Sequence, residues 1–390
     1  MDLNDYFNPV SLDRPRFNYV SEEHSFSRNI SIHTPDNPIH NLDQHQVALI
    51  GVPQDQHALI KGSASAPDKI RGMLYQLRKI NNNIRTCDLG NIKITDQVND
   101  TYYALRDIIL ELVERNVIPV ILGGSQDLSF GVTLALEKMQ GIHQVVTIDP
   151  RLDFSAEPAQ EIHSRNYLDY NLDPEKKKHF ILCNMGHQVY FVTEEQADRM
   201  ERDYFLSARL GEIRNNLRLA EPILRDASFL SLDMNAIRHS DAPGVTIPSP
   251  NGFFGDELCT FTRYAGLSNS LQVFGVFEMH PGNDLNEQTS HLAAQAIWYF
   301  MDGLSHRVKE HPLSTPEHTK KFIISMNESD DDLIFHKSML SEKWWMEIPA
   351  KNPATNHNFF VACSYEDYQS ACNQEIPERW WRALRYLGNE

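Results

Sequence analysis

The 390-residue chain is long enough for one large α/β domain with an extension, or for two domains. Its net charge of -17, from 36 basic and 53 acidic residues, argues against nucleic acid and anionic membrane as partners, since both would repel it. No run approaches the ~18 apolar residues of a membrane helix, so no membrane insertion is expected.

The opening "MDLNDYFNPVSLDRPRF" is polar and lacks the apolar core of a signal peptide. The five cysteines (Cys87, Cys183, Cys259, Cys363 and Cys372) are scattered and form no CxxC pair. They fit reduced thiols better than a disulfide frame, and a cytoplasmic location is expected. Residues 1–45 are polar and broken by Pro9, Pro15, Pro35 and Pro38, which predicts an N-terminal arm that wraps a body or stays loose.

Regular structure is expected from "QVALIGVP", a short β-branched run ended by Gly51 and Pro53. "APDKIRGMLYQL" carries apolar residues at helical spacing. "TYYALRDIILELVERN" predicts a stronger helix, with Leu105, Ile108, Ile109, Leu112 and Val113 on one stripe. "VIPVILGG" is a strand stopped by two glycines. "DLSFGVTLALEKM" is a helix with Asp127 at its start, where a carboxylate suits the exposed N–H groups. "HQVVTID", "ASFLSLD" and "LQVFGVFEM" are strands; "SARLGEIRNNLRLAEPIL" and "EQTSHLAAQAIWYFMDGL" are helices.

Strand–helix alternation implies an α/β fold, a mostly parallel sheet covered on both faces, residues 46–305 forming its body. Ligands of such sheets bind outside the carboxyl ends of the strands. Polar and acidic clusters stand at those ends: "GGSQD", "DPRLD", "LDMN" and Glu278 in "VFEMHP". Residues 306–319, "HRVKEHPLSTPEHT", predict a linker. Residues 320–390 form a C-terminal α+β extension packing on the body. It holds the pairs Trp344–Trp345 and Trp380–Trp381 and a capping box at Ser364 and Asp367. Tryptophan is common at binding hot spots. The plainer assignment, that most of these rings pin the extension to the body, is preferred, with some left for an interface.

The order of the pieces from Val47 to Leu304 resembles the ureohydrolase family of arginases, agmatinases and formimidoylglutamases, whose fold is a three-layer αβα sandwich. "GVPQDQHALIKGSASAPDKIRGML" is similar to its early strand, loop and "GPxxIR" helix. "GGSQD" stands where the family has GGDHS, "DPRLD" where it has DAHxD, and "LSLDMN" where it has SxDxD. "DAPGVTIPSPNGF" and "VFEMHP" are similar to APGTGTPxPGG and xVExNP. The Trp-rich tail resembles the extension of a formimidoylglutamase-like subgroup.

The resemblance implies two Mn²⁺ ions that polarise a water for attack on a guanidine-like or formimino carbon, held by two histidines and four aspartates. Three of these ligands survive: Asp149, Asp153 and Asp233. Gln126 and Arg151 replace the histidines, and Asn235 replaces an aspartate. Arginine has no lone pair for a metal. We therefore expect its guanidinium to bond Asp149 and Asp233 and to occupy the second ion's place.

The expected protein is thus a pseudoenzyme with no cofactor, acting as a binding or scaffold component. A protein partner or self-association through the arm and extension is expected, a homo-oligomer included. The alternative is a hydrolase of a guanidino or formimino compound using a single divalent ion. Mg²⁺, Ca²⁺ or Mn²⁺ would then sit on Asp149, Asp153, Asp233 and the Gln126 amide. Glu278 matches the family's acid facing a substrate cation, or pairs with an internal base such as Arg151. His163 falls near a loop that lends the family a proton-shuttling histidine; a solvated loop residue is the simpler assignment. His187 and His280 have no partners at metal-ligand spacing.

Overall fold

The computed structural model describes residues 3–11, 19–80, 84–155, 161–173, 175–327, 332–349 and 358–387. The strands of the main sheet are β1 (Phe7–Asn8), β2 (Ile30–Ile32), β3 (Val47–Val52), β4 (Thr86–Ile92), β5 (Ile118–Gly123), β6 (His143–Ile148), β7 (Phe180–His187), β8 (Leu206–Arg209), β9 (Ala227–Asp233) and β10 (Val273–Phe277). They lie in the order β1-β4-β3-β5-β10-β9-β6-β7-β8, with β2 also on β4. Only β1 runs antiparallel to its neighbour.

The helices are α1 (Ala66–Leu74), α2 (Val98–Glu114), α3 (Ser129–Lys138), α4 (Glu194–Arg202), α5 (Leu210–Asn215), α6 (Ala220–Arg225), α7 (Gly255–Leu267) and α8 (Gln288–Ser305). They cover both faces, because strand side chains alternate between two cores. One core takes Val47, Leu49, Val146, Ile148, Leu230 and Leu232 with Ile70, Phe261, Ile297 and Phe300. The other takes Ala48, Ile50, Val145 and Phe229 with Leu105, Ile109, Val132 and Leu136. This is the three-layer αβα sandwich.

The structure corrects the sequence reading at two places, while the N-terminal arm takes the first of its two expected courses, along the body: β1 and β2 extend the sheet on β4. The strand β4 that receives them was not anticipated, and neither was β7. Gly90 and Asn91 break the apolar run of β4, and the polar Asn184 that splits β7 is held inside by bonds to Thr147 Oγ1 and the carbonyls of Asp149 and Arg151. Ser207–Arg209, read as the start of a helix, belongs to edge strand β8, and the helical stretch behind it is broken into α5 and α6.

The C-terminal extension is an antiparallel sheet of β11 (Thr319–Ile324), β12 (Leu333–Ser338), β13 (Trp344–Ile348) and β14 (Phe359–Cys363), with α9 (Tyr365–Cys372) and α10 (Glu378–Leu387). Ser364 and Asp367 form the capping box of α9. Trp344, Trp345 and Trp380 are buried; Trp381 is exposed. Arg225, at the end of α6, joins the two units. It donates to the carbonyls of Trp344 (2.8 Å) and Cys363 (3.1 Å) and lies 4.7 Å from the Trp345 ring. Tyr386 of α10 donates to the Phe180 carbonyl. The preceding segment is more than a polar linker. Buried Glu310 accepts from Ser338 (2.7 Å) and Ser341 and pairs with Lys343 at 3.0 Å.

Candidate functional site

Adjacent strands β5, β10, β9 and β6 end level with one another, with Phe277 paired to Asp233 and Ile148 paired to Leu232. Their carboxyl ends therefore deliver Gln126, Glu278, Asp233 and Asp149 to one edge. The backbone turns there to fold polar side chains inward. The Arg151 N–H donates to Asp149 Oδ1 at 2.7 Å, and the Asn235 N–H donates to Asp233 Oδ1 at 2.7 Å. Glu278 holds a left-handed φ of 63°, a conformation unusual for a non-glycine residue and concentrated at functional sites.

Gln126, Asp149, Asp153, Asp233, Asn235 and Glu278 are all buried. The structure thus brings together the predicted residues of the strand ends. Gln126 donates through Nε2 to the Tyr167 hydroxyl (3.0 Å) and to Ser231 (3.3 Å), while its Oε1 has no hydrogen-bond partner. Asn235 turns its amide Nδ2 toward Asp233 Oδ1 (2.8 Å) and Thr246 (2.9 Å), and its oxygen accepts from the Ile247 N–H. Glu278 accepts from the Gln126 N–H (2.8 Å) and the Thr246 hydroxyl (2.7 Å).

Arg151 departs from expectation. Among the described residues its guanidinium makes no hydrogen bond to a carboxylate and no ion pair within 4.0 Å; it lies 4.1 Å from the Phe191 ring centre. Only its backbone N–H bonds Asp149. An aromatic face attracts a guanidinium and costs it less water than a deep carboxylate cluster does. The guanidinium inside the cluster belongs to Arg165, which the sequence reading passed over. Its Nη1 stands 3.6 Å from Asp153 Oδ1. The loop after β6 carries it in: Asn166 Oδ1 accepts from the His163 N–H, the Leu59 N–H donates to Ser164, and Tyr167 beside it is fully buried. The only signal in the sequence was a basic residue in a polar loop.

His163 is exposed, with Nδ1 accepting from the Arg165 N–H at 3.1 Å, as a loop residue does. His187 is buried beside a separate groove, and the His280 ring packs against Gly62. Glu278 pairs with Gln126 and Thr246, not with Arg151.

The cleft lined by Leu59, Ile60, Gln126, Asp153, Arg165, Asp233, Asn235, Thr246 and Glu278 encloses ≈ 220 Å³ in small interstices. Burial sets its electrostatics. Asp149 is raised above the usual carboxylate range by burial. Asp153 and Asp233 are raised well above it, by burial and then by the charge of Asp149. Burial pushes Glu278 up to about 7. Burial and the neighbouring Arg165 lower Arg151. Arg165 is raised: burial opposes its charge, but Asp153, Asp149, Asp233 and Glu278 together outweigh it.

A pair of Mn²⁺ ions does not fit these donors. There is no imidazole, Asn235 presents an N–H to Asp233 where a second carboxylate would bind, and a guanidinium lies against Asp153. The oxygens of Asp149, Asp153, Asp233 and Gln126 suit at most one hard cation.

The model of the Arginase family matches residues 45–302. The formimidoylglutamase of Rhodococcus jostii is 22% identical over 301 residues, covering 70% of this chain and 90% of that one. The Bacillus subtilis formimidoylglutamase is 25% identical over 285 residues, covering 66% and 86%. Its crystal structure superposes with a TM-score of 0.65 at 20% identity, covering 76% and 97%. Trypanosoma cruzi formiminoglutamase with Mn²⁺ superposes with a TM-score of 0.63 at 20% identity, covering 69% and 97%. Sheet order, strand-end residues and the family match over residues 45–302 agree: this chain belongs to the arginase family.

Proposed function

We propose that this arginase-family chain has given up binuclear hydrolysis and serves as a binding or scaffold component. One observation carries the reading: two of the three surviving aspartates face side-chain donors, Asp233 the amide N–H of Asn235 and Asp153 the guanidinium of Arg165. Such a donor stands beside a carboxylate without turning a bound water into hydroxide, as a metal ion would. The extension and arm supply the surfaces for a protein partner or a second copy. Trp381 and Tyr365 are exposed there.

The second reading is a hydrolase of a formimino or guanidino compound that works with one ion. The relatives favour it, since the curated relatives named above are formimidoylglutamases and solved Trypanosoma cruzi formiminoglutamase structures hold Mn²⁺. The unpartnered buried oxygens Gln126 Oε1 and Asp153 Oδ1 also favour it. They are the two oxygens that an oxygen-ligated cation would satisfy. Loss of the second Lewis acid then predicts slow turnover.

Metal content after Mn²⁺ loading and dialysis, with release of formamide or urea from N-formimino-glutamate, agmatine and arginine, separates the two. The binding reading expects neither bound Mn²⁺ nor product. Two equivalents of Mn²⁺ per chain with product release would overturn it. One equivalent with slow release would establish the second reading.

A further inference from the structure

The feature that neither the family nor the sequence pattern explains is the guanidinium of Arg165. Three buried carboxyl groups, Asp153, Asp233 and Glu278, line one narrow cleft, and a fourth, Asp149, is buried at the same strand ends. Like charges that close, out of water, need a counter-charge or protons. Arg165 provides a counter-charge from inside the chain. Its side chain is 19% exposed and that of Asp153 is 2% exposed.

The loop fixes that side chain from both directions. On one side Ser164 is tied to Leu59 N–H through its hydroxyl and to the His57 carbonyl through its own N–H. On the other, Asn166 bonds the His163 N–H and the Glu161 carbonyl, and the Tyr167 hydroxyl accepts from Gln126. Arg165 therefore enters the cleft on a braced turn.

Three buried atoms there lack hydrogen-bond partners: Gln126 Oε1, Asp153 Oδ1 and Arg165 Nη1. At 3.6 Å the Arg165–Asp153 contact is an ion pair too long for a hydrogen bond. Two orphaned oxygens and a cation that satisfies neither of them are what remains when a planar cation stands in a place shaped for a small ion with short oxygen contacts.

We propose that Arg165 is the built-in counter-cation of the strand-end acids, and that replacing it by a neutral side chain gives a chain that takes up one oxygen-ligated divalent cation. The cation class is hard, Mg²⁺, Ca²⁺ or Mn²⁺, because every freed donor is an oxygen. The inference rests on the reading above only in taking the native chain to hold no tight ion in this cleft.

The test is calorimetric titration of the full chain with MgCl₂, CaCl₂ and MnCl₂, together with thermal unfolding in each salt. The proteins are the wild type, Arg165→Ala, Arg165→Met and Arg151→Ala. Methionine keeps the bulk of the stem should alanine leave the cleft unable to fold. At least one Arg165 variant is expected to bind one cation about ten-fold or more tightly than the wild type and to gain melting temperature in that salt. Arg151→Ala stays at the wild-type level, since its guanidinium lies on Phe191. Equal affinity in the wild type and the folded Arg165 variants overturns the proposal, as does an equal gain in Arg151→Ala. Failure of both Arg165 variants to fold even in divalent salt also overturns it, because the cation then does not replace the guanidinium. Two Mn²⁺ with product release from the wild type would instead sink the functional reading. Absence of a gain in the variants, with an inactive wild type, sinks only this inference.

Discussion

The guanidinium of Arg165 lies 3.6 Å from the Asp153 carboxylate, while that of Arg151, two residues from Asp153 in sequence, lies 4.1 Å from the Phe191 ring centre. One cation thus stands inside the acidic cluster and the other at its edge. Their removal has different consequences.

Arg165→Ala leaves Asp153 with no facing cation within an ion-pair distance and is expected to destabilise the chain by about 2–4 kcal/mol at neutral pH, somewhat under the ~3–5 kcal/mol of a fully buried pair because the contact is 3.6 Å and Arg165 is 19% exposed. Arg151→Ala removes a ring contact worth about 1 kcal/mol at a half-buried site. Denaturant unfolding of both variants in metal-free buffer checks the ranking. A larger loss for Arg151→Ala would return Arg151 to the centre of the cluster.

The pH dependence follows from Glu278, which burial pushes up to about 7. A carboxyl group whose folded pKa exceeds its unfolded value near 4.5 stabilises the native state fully at pH below about 4.5. That contribution is lost as pH rises toward about 7. Glu278→Gln keeps an acceptor for the Gln126 N–H and cannot ionise. Its stability relative to wild type should therefore improve between pH 5.5 and pH 8, by about 2 kcal/mol at most. Chemical denaturation at the two pH values measures it. A difference of the opposite sign would show that Glu278 is held ionised.

Much of this architecture was legible in the residues. The β-branched runs ending in Gly-Gly, Asp-Pro and Asp-Met located β5, β6 and β9, and the polar residues behind them marked the site. Gln126, Asp149, Asp153, Asp233, Asn235 and Glu278 meet because parallel strands all end on the same edge. The position of the cation was not legible. Arg151 sits in the motif, but at the strand end the chain turns its backbone N–H toward Asp149 and sends the side chain to Phe191, forty residues on. Arg165 reaches the site from a loop with no periodicity, placed by Ser164, Asn166 and Tyr167. Strand β4 was missed for a related reason. Asp88 is buried mid-strand because Arg71, Tyr75 and the Gly90 N–H satisfy it, with Arg71 Nε 2.7 Å from Asp88 Oδ2, and the Arg71 pairing spans a helix and a strand.

Asn235 offers a sharper test of the donor argument. Its Nδ2 donates to Asp233 Oδ1 at 2.8 Å and to Thr246 at 2.9 Å. Asn235→Asp replaces this donor with a second carboxylate facing the first. At neutral pH and without divalent ions, a loss of about 2 kcal/mol is expected, comparable to leaving a buried acceptor unmade. Lowering the pH to 5 should restore part of it by protonation. Unchanged stability at neutral pH would mean that the cleft already holds a proton or a cation there.

The extension gives the last prediction. Arg225 is buried. It donates to the carbonyls of Trp344 and Cys363, pairs with Glu221 at 2.7 Å and covers the Trp345 ring. Arg225→Ala removes these contacts together and leaves two buried carbonyls without this donor. A loss of about 2–4 kcal/mol is expected, since hydrogen bonds from a charged donor are among the stronger ones. The chain around β13 and β14 should become sensitive to protease before the α/β body does, because Arg225 holds both strands at once: the Ala362 N–H to Asp226 (2.7 Å) holds β14 alone, while the Tyr386 hydroxyl to Phe180 and Arg382 to the Phe205 carbonyl (3.2 Å) and Glu201 (3.2 Å) hold α10. Arg225→Lys should not rescue, as an ammonium cannot span both carbonyls and the ring. Limited proteolysis with mass mapping reads the outcome. If body and extension are cut at the same rate, Arg225 is not what fastens one to the other.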